Sequence, residues 1–184
     1  MNSRDGVRLF FALTPDATLR ERLSAAAAEL PLEATARRVA PCDFHVTIAF
    51  VGEVARVHLL TVAGIGAVWA RRAAPVTLRF DAYEYWPKPE VVVAAARAVP
   101  DDFQRLWAAL HADLAAHGWA LHAKRLRPHV TLARNAPQAP VLPALSPFEW
   151  PVRDFSLLRS DLSDGPPVYT VLATWPLLDE PGKA

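Results

Sequence analysis

At 184 residues the chain can enclose one substantial core, or two small lobes that share an interface. About half of it is apolar and the net charge is only +1, which excludes a protein given over to coating long nucleic acid and leaves local capture of a small anion or an RNA end. The single Cys42 excludes an intrachain disulfide framework, and the apolar run Leu9–Leu13 is too short for a signal segment or a membrane span, so a cytoplasmic protein with no membrane partner is expected.

Val7 to Leu13 reads as a buried strand. Thr14-Pro15-Asp16 then offers an N-cap hydroxyl, a proline for the first helical position and an early acid. Leu19, Leu23, Ala26 and Leu30 recur at spacings of four, three and four, one face of a helix that stops before Pro31. A strand beginning near His45 ends near Gly52, and a second helix is expected over Val57–Ala70. Val76 to about Trp86 reads as one strand, Pro87-Lys88-Pro89 as a turn and Val91–Ala96 as a further buried strand.

Asp101 opens a third helix, with Gln104 three residues on as a capping-box partner. Phe103, Leu106, Trp107, Leu110 and Leu114 form its apolar stripe, and Gly118 is its terminator. A strand follows Arg127-Pro128. A proline-rich loop, Pro137–Pro147, leads to strands near Arg153–Leu158 and Val168–Trp175. Helices interspersed with turn-linked strands favour an α+β fold with antiparallel sheets over a doubly wound parallel sheet.

The most informative feature is a repeat. His45-Val46-Thr47-Ile48 recurs as His129-Val130-Thr131-Leu132. In a strand successive side chains alternate in direction, so Val46 and Ile48 face one way while His45 and Thr47 face the other. The second copy has the same parity. A single His-x-Thr on a strand is usually a satisfied structural pair; two copies with apolar residues at every intervening position argue for two lobes facing each other across a cleft.

Opening a cyclic phosphodiester needs a base to activate water and an acid to protonate the leaving oxygen. Histidine suits both, because its ordinary pKa near 6.5 allows either protonation state near neutrality. The hydroxyls of Thr47 and Thr131 can donate to phosphoryl oxygens where charge accumulates. A strained five-membered ring is already activated, so neither a metal nor another cofactor is expected, and Asp81, Asp101 and Asp161 show no metal-ligand spacing. The near-equivalent repeats do not say which histidine is the acid.

The two segments resemble the paired HxTx motifs of the 2H phosphoesterase family, and the likeness is closest to its RNA 2′,3′-cyclic phosphodiesterase branch, historically called 2′-5′ RNA ligase. Arg8-Leu9-Phe10-Phe11-Ala12-Leu13, Gly52-Glu53-Val54, Arg127 to Arg134 and Tyr169-Thr170-Val171-Leu172 extend the likeness over nearly the whole chain. The resemblance implies a single bilobal domain over residues 1–184. It also implies pseudo-twofold symmetry, two antiparallel sheets, outer helices and a central cleft. It makes His45 the proton donor to the leaving 3′ oxygen and His129 the proton acceptor from water, giving a 2′-phosphomonoester. Phe44 stands where that branch often has Leu.

Arg134 matches a phosphate-contacting position, yet strand parity puts it on the face opposite His129, so a bulge is required. Arg127 has the right parity instead, and either guanidinium could clamp a phosphate in bidentate fashion. The expected partners are RNA ends or nucleotides bearing a 2′,3′-cyclic phosphate, with no obligate protein partner and a monomeric state. Ligation by reversal and a non-catalytic RNA-end binding module are the alternatives. The remaining histidines (His58, His111, His117 and His122) read as surface residues. Arg37-Arg38 reads as a solvated loop, with an RNA-backbone contact as the alternative, and Trp86 and Tyr85 read as packing residues, with base stacking as the alternative.

Overall fold

The two HxTx segments lie on different sheets. The structure is a computed structural model that describes residues 6–119, 121, 125–161 and 167–179. Its elements are β1 (Gly6–Leu13), α1 (Ala17–Ala28), β2 (Arg37–Arg38), β3 (Val46–Ala55), α2 (Leu59–Ala70), β4 (Val76–Phe80), β5 (Ala82–Trp86) and β6 (Val91–Ala95). There follow α3 (Asp101–Ala116), β7 (His129–Arg134), β8 (Phe148–Val152), β9 (Asp154–Asp161) and β10 (Val168–Pro176). One four-stranded sheet runs β10-β9-β1-β3, the other β2-β7-β6-β5, and β4 pairs with β8 apart from both. Every pairing is antiparallel, as expected for an α+β fold of this kind.

The chain contains two strand–helix–strand units, β1-α1-β3 and β6-α3-β7, and each helix crosses to the other unit's sheet. On α1, the Ala26 carbonyl accepts from Tyr83 Oη at 2.9 Å, and Arg38 of β2 donates to the carbonyls of Ala27 and Leu30, both at 2.8 Å. The orphan carbonyls at the end of α1 are thus satisfied by the β2-β7-β6-β5 sheet. Conversely α3 lies over β3, where the His111 ring donates to the Ile48 carbonyl at 3.1 Å. One continuous core fills the space beneath, including Phe11, Val46, Ile48, Phe80, Phe103, Val130, Leu132 and Phe155, all at most 3% exposed.

Several local expectations need correction. Asp16, not Thr14, caps α1: its carboxylate accepts from Leu19 N at 2.8 Å. Asp101 is the first residue of α3 rather than its cap, and Gln104 reaches back to the Val99 carbonyl instead of closing a capping box. The strand expected over Val76–Trp86 breaks at Asp81 into β4 and β5, which join different sheets. Its apolar parity had already slipped, since the buried Leu78 and Phe80 are even-numbered and the buried Tyr83 is odd. β8 was hidden by Pro151, which is tolerated because this two-stranded ribbon has a free side. β3 does not stop at Gly52 but passes through it at φ +84° and continues to Ala55.

Other expectations hold. Phe103, Leu106, Leu110 and Leu114 are buried on α3, with Trp107 half-buried beside them. Gly118 takes φ +93°, and the bonds Gly118 N to Ala115 O (3.0 Å) and Trp119 N to Leu114 O (2.9 Å) close a Schellman turn. His122 and the tail from residue 180 lie outside the described residues.

α2 sits on the β10-β9-β1-β3 sheet through a close approach at Gly66. A Cβ there would fall 2.7 Å from the Phe11 ring and 2.8 Å from Trp175, whereas one at Gly64 would meet nothing within 4 Å. Each Gly→Ala change gains about 1 kcal/mol of helix propensity, but overpacking typically costs about 1–3 kcal/mol. Gly64→Ala should therefore raise the melting temperature by a few degrees and Gly66→Ala should lower it. Thermal unfolding of the two variants, followed by circular dichroism, checks both signs.

Candidate active site

Both catalytic-type histidines are held in the same way. His45 Nδ1 lies 2.7 Å from the carbonyl of Asp43, and His129 Nδ1 lies 2.7 Å from the carbonyl of Arg127, each two residues upstream. A carbonyl only accepts, so each Nδ1 carries a hydrogen and donates it. The tautomer is thereby fixed, and both Nε2 atoms are left for another partner. Val46, Ile48, Val130 and Leu132 point the other way and are at most 3% exposed, so each histidine is oriented by a strand whose opposite face is anchored in the core.

The feature that completes the site is a bulge. Opposite β6 the register passes from Val93↔Thr131 to Val92↔Ala133, which leaves Leu132 as the extra residue on β7. Leu132 and Ala133 are consecutive and both 0% exposed. Parity is reset, and Arg134 comes round to the face of His129 and Thr131. β3 bulges at the equivalent residue: between Phe11↔Ala49 and Ala12↔Thr47, Ile48 is extra. That carbonyl is the one His111 satisfies, so His111 is a half-buried structural residue rather than a surface one. The bulge on β3 likewise brings Phe50 to the face of His45 and Thr47, where it is 46% exposed beneath the Arg8 guanidinium, 4.7 Å from the ring centroid.

Two adjoining recesses meet at these groups. One of about 110 Å³ is bordered by His45, Thr131, Arg134, Tyr169 and Asp43. The other, of about 300 Å³, is bordered by His45, Thr47, Phe50, Arg134 and Tyr169. His45 and Arg134 face both. His129 stands two residues before the recess-lining Thr131 on the same strand face, and its charge lowers the pKa of His45. His45, Thr47, Thr131, Arg134 and His129 are therefore brought together. Arg127 is not: its guanidinium pairs with Glu84 at 2.7 Å, lies 4.3 Å from the Trp86 ring centroid and borders a separate groove. What Arg127 gives the site is its backbone carbonyl.

Each imidazole also leans on aromatic neighbours whose place beside the histidines the sequence pattern did not reveal. The His45 ring is 5.2 Å from Phe10 and 5.0 Å, edge-on, from Tyr169. The His129 ring is 4.4 Å from Trp86, whose indole N–H donates to Glu84 at 2.8 Å. Glu84 thus ties Trp86 and Arg127 into one brace behind His129. Tyr169 lies in a segment that carried the family likeness, and Glu84 and Trp86 share a strand face two residues apart. Only the pairing of β5 with β6 and of β6 with β7 reveals where that face points.

Electrostatics favour neutral rings. Burial lowers the pKa of His45, the Asp43 carbonyl pulls it back up, and Arg134 and His129 press it down again. Burial lowers His129 too, opposed by the Arg127 carbonyl and, more weakly, by the Glu84 carboxylate, and reinforced by the Arg127 and Arg134 cations. Among the described residues no three His, Cys, Asp or Glu side chains converge as a metal site, and no helix is long and apolar enough to cross a membrane.

The model of the 2′-5′ RNA ligase superfamily matches residues 61–164, and that of LigT-like phosphoesterases matches residues 13–94. The chain belongs to the 2′-5′ RNA ligase superfamily. Within this superfamily it is 34% identical to an RNA 2′,3′-cyclic phosphodiesterase of Thermus thermophilus over 96% of the chain and 93% of that protein. It is 32% identical to an Escherichia coli protein of the same description over 92% of the chain and 96% of that protein. The crystal structure of E. coli LigT complexed with 3′-AMP superposes with a TM-score of 0.84 at 29% identity, covering 94% of this chain and 98% of that one. The phosphate complex of E. coli LigT gives a TM-score of 0.80 at 28% identity, with the same coverage.

The brace behind His129 makes a signed prediction. NMR titration of the imidazoles should place both midpoints below 6.5. Glu84→Gln removes a carboxylate that favours the imidazolium, so it should move the His129 midpoint further down while leaving that of His45 in place. An upward shift would contradict this account of the site.

Proposed function

We infer that the protein hydrolyses 2′,3′-cyclic phosphodiester ends of RNA or nucleosides to 2′-phosphomonoesters, with two histidines as general acid and general base. The observation that carries this reading is the matched pair of Nδ1–carbonyl bonds, which leaves an Nε2 atom of defined tautomer on each of two rings that share strand faces with Thr47, Thr131 and Arg134. The cyclic phosphodiesterases among its relatives support it.

In the proposed reaction His129 Nε2 takes a proton from water as the water oxygen bonds to phosphorus. The P–O3′ bond breaks, and His45 Nε2–H delivers its proton to the departing 3′ oxygen. The division of labour between the rings follows the family resemblance. Thr47 and Thr131 donate to the non-bridging oxygens, and Arg134 neutralises charge building on the phosphoryl group. Acid, base and charge stabilisation are all supplied by side chains. Every group comes from one chain, so we propose that a monomer suffices, acting in the cytoplasm where the exposed Cys42 thiol stays reduced.

His45→Ala and His129→Ala should each lower kcat by about 10²–10⁴-fold, with melting temperatures near that of the unaltered protein, and turnover should survive excess EDTA. Arg134→Gln should weaken kcat/KM on a cyclic mononucleotide by roughly tenfold or more, as expected for a lost charge-assisted hydrogen bond. The pH profile is also determined in sign. The productive form needs His45 protonated and His129 neutral, and kcat/KM peaks midway between the free-enzyme pKa values. Both are lowered, so the optimum should lie below pH 6.5. Phosphorus NMR of the product with chelator present reads activity and regiochemistry together, and a 3′-phosphate product would sink the assignment.

A further inference from the structure

Arg37 and Arg38 are consecutive on β2, yet they have different employment. Arg38 spends its guanidinium on the carbonyls of Ala27, Ala28 and Leu30 at the end of α1. Arg37 makes no hydrogen bond or ion pair among the described residues, is exposed, and borders the smaller recess beside His45, Thr131 and Arg134. In the β2–β7 ladder Arg37 stands directly opposite Arg134. Residues so paired have Cα atoms about 4.5–5.5 Å apart and project side chains to the same face.

Like charges directly opposite on neighbouring strands are destabilising, and among the described residues neither guanidinium has a carboxylate partner. Asp43, at the same recess, stands beside His45 and Tyr169, whose pKa values it raises. Two cations held side by side at one recess, with no carboxylate on either among the described residues, favour an anionic ligand there. A nucleoside 2′,3′-cyclic phosphate brings one phosphorus, which the two histidines, two threonines and Arg134 already surround. The second cation is surplus to that substrate. β2 is the outermost strand of its sheet, so Arg37 is displaced outward from Arg134 by one strand spacing, about 4.8 Å. A flexible arginine side chain displaced by that much is within reach of a second phosphate on the same nucleic-acid strand.

Resting on the cyclic-phosphodiester reading above, we propose that Arg37 binds the phosphodiester on the 5′ side of the terminal nucleotide and so makes the enzyme selective for oligonucleotide ends over cyclic mononucleotides. The ligand class is a single-stranded RNA of at least two nucleotides ending in a 2′,3′-cyclic phosphate. Arg37 touches a part of the substrate remote from the breaking bond. Its contribution belongs to recognition, and the bond-breaking step does not need it.

The test compares a nucleoside 2′,3′-cyclic phosphate with a dinucleotide that ends in the same cyclic phosphate. Arg37→Gln should lower kcat/KM for the dinucleotide by about tenfold, the loss typical of one charge-assisted hydrogen bond, and leave the mononucleotide within twofold. The salt dependence of the dinucleotide reaction should become shallower by about 0.7 in log–log slope. Arg37→Lys should restore part of the dinucleotide rate. Equal losses on both substrates would mean that Arg37 acts on the scissile phosphate, and no loss on the dinucleotide would mean that it is merely solvated; either result overturns the proposal. Failure of the unaltered enzyme to open either substrate would refute the reaction instead. The affinities of both proteins for the mono- and dinucleotide 2′-phosphates would then still decide the role of Arg37.

Discussion

One extra residue in each HxTx strand governs the site. A regular β7 would bury Arg134 on the core side or leave the motif with a histidine and a threonine only. Inserting Leu132 into the ladder places two consecutive residues in the core and returns the next to the cleft. The sheet pays for this with a break in its hydrogen bonding, and on β3 the freed Ile48 carbonyl is satisfied by His111. The convergence of His129, Thr131 and Arg134 on one face is thus a property of backbone register as much as of residue identity.

The duplicated geometry is filled asymmetrically. Five residues beyond each histidine the chain presents a side chain to the cleft, and it is Phe50 in one half and Arg134 in the other. Behind the rings the same divergence recurs. His45 rests on Phe10 and Tyr169, whereas His129 rests on Trp86, which is braced by Glu84 and Arg127. Two near-identical imidazoles are distinguished by what surrounds them, and on the proposed reading this is how one repeat yields an acid and a base.

Much of this was legible in the sequence because its causes are local. The alternation around His45 and His129 announced two strands with the right faces, and the stripe Phe103-Leu106-Leu110-Leu114 with Gly118 announced α3 and its end. The bulge could be anticipated only through a contradiction, since Arg134 had the wrong parity for its expected job. What stayed hidden depends on pairing across long separations. Nothing near Glu84 says that it faces His129, and nothing near Arg37 says that it stands opposite Arg134. Asp81 splits one alternating run between two sheets, and Pro151 conceals a strand that an edge can accommodate. Asp16, read as an early acid of α1, is its cap because its carboxylate reaches Leu19 N.

The exchange of helices and strands between the two halves has a consequence for how the molecule comes to exist. Sheet β10-β9-β1-β3 draws strands from both ends of the chain, and sheet β2-β7-β6-β5 inserts early segments beside late ones. Most of its contacts are therefore non-local, a topology that folds slowly. Neither strand that carries an imidazole is backed by its own half alone: β3 lies under α3 and β7 against α1, within one shared core. Cutting the chain between the halves would therefore take from each ring the packing that orients it.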